Sequence, residues 1–136
     1  MNAVANHAMN QYKQVGTGVS AAAADPHQLI TMLYDGALEK IAFAKGAMAR
    51  QAIAEKGQKI GRAIAIIDGL RASLDREKGG DIANNLDALY DYMQRCLLQA
   101  NAENDAKLLD EVSGLIRDVK SAWEAIAPEQ PAPVSS

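Results

Sequence analysis

The residues of this chain able to do chemistry are its two histidines, its single cysteine and its closely spaced carboxylates. His27 could ligate a metal or carry a proton. Cys96 follows Arg95, and a neighbouring cation favours the thiolate. Asp87 and Asp91 stand one helical turn apart, as do Asp35 and Glu39, a spacing at which paired carboxylates can share acid–base work. None of these groups has the company its chemistry needs. His27 has no cysteine or second histidine beside it, whereas a metal site takes three or four ligands, and His7 is equally alone. Cys96 falls on an apolar helix stripe, where a free cysteine packs as a small inert hydrophobe. The carboxylate pairs read as solvated helix faces. There is no Glu-x-x-His element of a di-iron bundle and no Cys-x-x-Cys-His of a c-type haem. The sequence therefore argues against an enzyme and implies no metal and no cofactor.

Two short words recur instead, Leu33-Tyr34-Asp35-Gly36-Ala37 and Leu89-Tyr90-Asp91-Tyr92-Met93. Each sets a tyrosine at the flank of a helical apolar stripe, where the ring packs and the hydroxyl stays near water. That arrangement suits a helix with one face buried and another offered to a partner. Binding, rather than turnover, is the activity to look for.

The 136 residues fit one domain. Hydrophobic residues make up 49% and aromatic ones 4%, so the core must be aliphatic, and the many alanines favour helix. A formal net charge of −3 weighs against nucleic acid as a partner, since such binders carry a basic patch. No stretch approaches the roughly 20 apolar residues of a membrane span, so membrane insertion is not expected. Residues 1–14 lack the layout of a secretory signal. With Cys96 alone no internal disulfide can form, and a reducing cytoplasm is the natural setting.

The elements follow from periodicity and punctuation. Met1 to Ala24 has no sustained period and carries Gly16, Gly18 and an alanine run, which predicts a mobile N-terminal arm. Asp25-Pro26-His27-Gln28 predicts a helix start, with Asp25 as cap, Pro26 at the first helical position and Gln28 as capping-box partner. The first helix should run to about Ala49 and bury Ile30, Leu33, Tyr34, Ala37, Ile41, Ala44 and Met48. A second, from near Ile53, carries Ile60, Ala63, Ile64, Ile67, Leu70 and Leu74, with Gly79-Gly80 as its stop. Asp81 is expected to cap a third helix burying Ile82, Leu86, Leu89, Met93, Leu97 and Ala100. After a turn over Asn101 to Asn104, Asn104 or Asp105 caps the last helix, with Leu108, Val112, Leu115, Val119, Ala122 and Ile126 inward. The proline-rich residues 128–136 read as a disordered tail. Short connections make neighbouring helices antiparallel, so the expected fold is an all-α antiparallel four-helix bundle over residues 25–127.

These helices carry more apolar residues than a bundle stripe uses. Leu29, Met32 and Phe43 lie roughly 100–160° from the centre of the first stripe, with Gly36 leaving a hollow among them. Ile66 and Leu70 lie roughly 80–120° from the second, and Leu98 is nearly opposite the third. Leu109, Ile116 and Trp123 widen the last face to about 140°. Where such positions meet in space, a contiguous exposed apolar patch marks a groove for an amphipathic segment.

The chain resembles the FliS family of flagellar secretion chaperones. The matching pieces are Tyr12-Lys13-Gln14-Val15, Asp25-Pro26-His27-Gln28-Leu29-Ile30 and Leu33-Tyr34-Asp35-Gly36-Ala37-Leu38. Lys78-Gly79-Gly80-Asp81-Ile82-Ala83-Asn84-Asn85-Leu86, Leu89-Tyr90-Asp91-Tyr92-Met93, Ala100-Asn101 and Ala122-Trp123 follow in the family's order. Asp25-Pro26 stands where the family often has Ser-Pro, and either residue can cap. The resemblance implies a cytoplasmic chaperone that binds the C-terminal segment of flagellin. It would block premature polymerisation and keep the subunit competent for export, with components of the export apparatus as further partners. The residues expected to contact the client are Tyr12 and Val15 in the arm, then Leu29, Met32, Phe43, Ile66, Leu98, Leu109 and Trp123. The arm either folds over part of the groove until client displaces it or is an untethered terminus. The competing reading of the residues is a general helical adaptor or scaffold.

Overall fold

The computed structural model describes residues 25–127, and the expected arm and tail lie outside them. Helix α1 spans Pro26–Ala49, α2 Ile53–Ala72, α3 Arg76–Glu103 and α4 Ala106–Ala125. Each packs on its chain neighbours, and α4 closes the ring against α1. Ties between opposite ends show the antiparallel sense. Lys45, late in α1, reaches Asp110, early in α4, at 2.7 Å. Arg71, at the end of α2, reaches Asp87, in the first half of α3, at 2.8 Å.

Local sequence sets the helix ends. Asp25 Oδ1 accepts from the Gln28 backbone N–H at 2.7 Å, and the Gln28 side chain accepts from the Asp25 N–H, the reciprocal box expected, with Pro26 at the first turn. Asp105 caps α4 by accepting from the Lys107 N–H. The α1–α2 corner uses Gln51 at φ 61°, so that the Ala52 N–H returns to the Ala47 carbonyl.

The stop between α2 and α3 differs from expectation. α2 ends at Ala72, before Gly79-Gly80, and Asp75 rather than Asp81 caps the next element by accepting from the Lys78 N–H. One helical turn follows, then Gly80 at φ 53° and ψ −124° breaks the path before the long part of α3. That conformation is open only to glycine. Its neighbour Gly79 is fixed by space, since a Cβ there would fall 2.8 Å from the Ala83 Cβ. The glycine pair thus kinks α3 instead of ending α2. α3 also runs on through Glu103, shortening the expected turn to Asn104, which takes the left-handed conformation, and Asp105.

The core is aliphatic with two tyrosines. Leu33, Tyr34, Ala37, Ile41 and Ala44 of α1 meet Ile60, Ala63, Ile66, Ile67 and Leu70 of α2, Tyr90, Met93, Cys96 and Leu97 of α3, and Leu109, Val112 and Ile116 of α4. Burying each large aliphatic side chain contributes about 1.5–3 kcal/mol. On α4 the buried face is Leu109, Val112, Ser113 and Ile116, so the helix is turned by about one residue from the expected stripe. Ala122 and Ile126 consequently face outward. Ile82 is likewise exposed, because the Gly80 kink resets the register and Ala83 enters instead.

Candidate protein-docking surface

On α1 the positions 29, 32, 36, 40 and 43 fall within an arc of about 80°. Leu29 and Met32 are half-buried, Gly36 is buried, and Phe43 is 48% exposed with the Lys59 ammonium 5.4 Å from its ring centre. This stripe borders α2. Counting back along the antiparallel pair from Phe43 and Lys59 brings Gly36 opposite Ile66. Ile66 itself lies in the core, so it floors this face and does not project from it.

On the other flank of α2, Gln94 of α3 donates to the Ile64 carbonyl at 3.1 Å and to Asp68 at 2.7 Å. Its own oxygen accepts from Arg71 at 2.9 Å. The same register sets Gly61 opposite Leu97, next to Leu98, which is 58% exposed. A Cβ at Gly61 would meet nothing within 4 Å. The outward faces of Gly61 and Ala65 are therefore low relief beside an uncovered leucine, a shape that admits a second helix closely.

At the end of the bundle where α1 begins, a cavity of about 370 Å³ is lined by Ile30, Tyr34, Leu74, Leu86, Tyr90 and Trp123, with others. Tyr34 and Tyr90 join hydroxyls 2.6 Å apart across its base. Burial, more than the neighbouring phenol, pushes the Tyr90 hydroxyl far above its ordinary range; burial also raises Tyr34, against the hydrogen bond from Tyr90. Trp123 donates through Nε1 to the His27 carbonyl at 3.0 Å and stacks on the His27 ring at a centroid distance of 4.1 Å.

The structure thus sorts the expected contacts. Phe43 and Leu98 are exposed, and Leu29, Met32 and Trp123 are half-buried on faces or cavities open to solvent. Leu109 is fully buried and Ile66 nearly so. Neither forms exposed surface, because the stripes of α2 and α4 include them: Ile66 joins Ala63, Ile67 and Leu70, and Leu109 joins Val112 and Ile116. Leu70 and Ile116, read as surplus with them, are core residues for the same reason. Tyr12 and Val15 lie outside the described residues.

Sequence reasoning missed exposed Ile53 and the buried polar pair Lys56 and Gln94. Lys56 had a signal, since positions 56, 60, 63, 67 and 70 form one helical stripe with lysine at its head. Among the described residues, no three His, Cys, Asp or Glu side chains converge on a metal position, and no helix is long and apolar enough to cross a membrane.

A family model described as flagellar protein FliS matches residues 8–130. The flagellar secretion chaperone FliSB of Pseudomonas aeruginosa is 53% identical over 120 residues, covering 88% of this chain and 95% of that protein. The flagellar secretion chaperone FliS of Salmonella typhimurium is 48% identical over 119 residues, covering 87% and 88%. That of Vibrio cholerae is 46% identical over 121 residues, covering 89% of each. A bundle with uncovered apolar side chains accords with these relatives, and the chain belongs to the FliS family of flagellar secretion chaperones.

Proposed function

We propose that this chain is a cytoplasmic export chaperone that binds the C-terminal segment of flagellin, holding the subunit unpolymerised and competent for the export apparatus. The observation that carries this reading is the pair of uncovered apolar positions flanking α2, Phe43 on one side and Leu98 on the other, around a helix whose outer face carries Gly61 and Ala65 between Gln58, Arg62 and Asp68. A segment that packs only in the assembled filament is disordered in the free subunit and holds amphipathic stretches in need of cover. Wrapping across α2 would sheathe them, burying on the order of 1,000–3,000 Å² against several kcal/mol of ordering. The cavity beside Trp123 and the half-buried Leu29 and Met32 extend the apolar surface along α1. A synthetic flagellin C-terminal segment, titrated into the chain by calorimetry and run on a sizing column, should give a one-to-one complex. A segment that elutes separately and releases no heat would overturn the reading and favour a general adaptor.

A further inference from the structure

Across the bundle from the α1–α2 seam, α3 and α4 meet along a seam whose register is set by Tyr92, the hydroxyl of which donates to the Glu111 carboxylate. Counting back along the antiparallel pair from that bond brings Leu89 beside Leu115 and Ile82 beside Ala122, with Ile126 one turn further on. Leu89, Leu115 and Val119 are half-buried along this line. Its end is open, with Ile82 71% exposed, Ile126 67% exposed and Ala122 uncovered between them. Three of the six large apolar side chains exposed among the described residues, Ile82, Tyr92 and Ile126, therefore share one face. Such clustering, unlike scattered surface leucines, marks an interaction site.

The rim of the seam is acidic. Asp81, next to Ile82, and Asp118, next to Val119, are exposed at its two edges, and Glu111 lies on it. Among the described residues neither aspartate enters an ion pair. The cations close to them in sequence are engaged elsewhere. Lys120 is held by Asp35 at 2.6 Å, and Arg95 by Asp91 at 2.9 Å. Arg117 lines the groove between α4 and α1, and Lys78 lines the cavity beside Trp123. The α1–α2 face has the opposite sign. The Lys59 ammonium sits over the Phe43 ring there, and neither Lys59 nor Arg62 enters an ion pair among the described residues.

We propose that the α3–α4 seam is a second docking surface, for a basic amphipathic helix of a protein other than the client. The apolar face of that helix covers Ile82, Ala122 and Ile126, and its lysines or arginines meet Asp81, Asp118 and Glu111. Charge selects this occupant over a second copy of the chain. Seam against seam sets carboxylates against carboxylates. Seam against the basic α1–α2 face is a head-to-tail contact, which runs on from copy to copy and covers the client's side of the bundle.

The probe is a synthetic helix with leucine on one face and lysine on the other, titrated into the isotope-labelled full chain. The control helix carries glutamate for lysine. The lysine helix should shift the amide resonances of Ile82, Val119, Ala122 and Ile126 saturably, and less at high salt, while the control leaves them in place. Ile82→Ser and Ile126→Ser should each weaken it by about tenfold or more, the scale of an anchor residue. Both side chains are exposed, so these variants should unfold in urea as wild type does. Asp118→Lys should weaken binding and flatten its salt dependence. Shifts centred on α1 and α2 or on the cavity beside Trp123, or no saturable shift, overturn the proposal. Concentration-dependent shifts at the seam without any probe overturn it in favour of a second copy. The titration is then repeated with the flagellin C-terminal segment bound. Unchanged seam shifts support two partners on one chain, whereas loss of the probe assigns the seam to the client and removes the second partner. If the flagellin segment does not bind, the client reading fails alone, and the probe titration still decides the seam.

Discussion

The Trp123 indole hangs from the first turn of α1, giving its N–H to the His27 carbonyl at 3.0 Å while lying flat on the His27 ring, 6° from parallel. One residue near the end of the last helix therefore fixes the start of the first.

Trp123→Ala should cost about 2 kcal/mol in urea unfolding, roughly half the loss for a fully buried aromatic, because the ring is only half covered. Trp123→Phe keeps the stacking and should lose about 1 kcal/mol, the scale of a single hydrogen bond. Equal losses for the two variants would show that stacking contributes nothing.

The Tyr34–Tyr90 pair gives a double-mutant cycle with a predicted sign. Either single change to Phe leaves one buried hydroxyl without its partner and should cost about 1–3 kcal/mol. The double change removes both polar groups together and should cost less than the two singles summed. Strict additivity in urea unfolding would mean that the hydroxyls do not interact.

Both phenols have folded pKa values raised by burial, so the stability they supply is whole below the unfolded value of about 10. It drains away as pH rises past that point, because only the unfolded chain ionises there. Unfolding midpoints measured from pH 8 upward, about two units below that value, should fall in the wild type. They should fall less in the Tyr34→Phe, Tyr90→Phe double variant.

Asp87 behaves oppositely. The Arg71 guanidinium, hydrogen-bonded to it at 2.8 Å, holds its carboxyl below the usual range, and Arg76 adds to this. A depressed folded pKa supplies stability that is present above about 4 and is lost as pH falls through the folded value. Asp87→Asn should therefore flatten the acid limb of a stability-against-pH curve and lower the plateau by about 1 kcal/mol or less, since the pair is partly solvated. An unchanged acid limb would mean that this ion pair does not anchor α2 to α3.

How much of this was legible depended on whether the signal was local. The α1 start was readable because Asp25, Pro26 and Gln28 act within one turn. The α2 stop was misplaced because Asp75 competes with Gly79-Gly80, and only the tertiary path selects between a stop and a kink. Exposure at Phe43 and Leu98 followed from angle alone. Ile66 and Leu109, read from angle as surplus to the core, lie within it: on α2 the buried arc is wide enough to take in Ile66, and on α4 a rotation of about one residue moves Leu109 inward and Ile126 outward. The polar seams at Gln94 and Lys56 were hidden for a different reason. Periodicity marks a position as inward but does not say that the partner supplying its hydrogen bonds lies some 30–45 residues away, as Gln94 does from Ile64 and Lys56 from Asn101.

That sorting of surface from core makes the sharpest test of the proposed surface. Phe43→Ser and Leu98→Ser act on side chains about half exposed, so each should leave stability within about 0.5 kcal/mol of wild type. If these residues cover the client, each should weaken the flagellin segment by about tenfold or more, the scale of a hot-spot anchor. Leu109→Ala and Ile66→Ala should do the reverse. Each opens a cavity in the core and should cost about 2–5 kcal/mol of stability. Client affinity corrected for the unfolded fraction should then stay near wild type. Calorimetry and urea unfolding on the same four variants separate the two effects. Surface variants that bind client as wild type would remove α2's flanks from the interface.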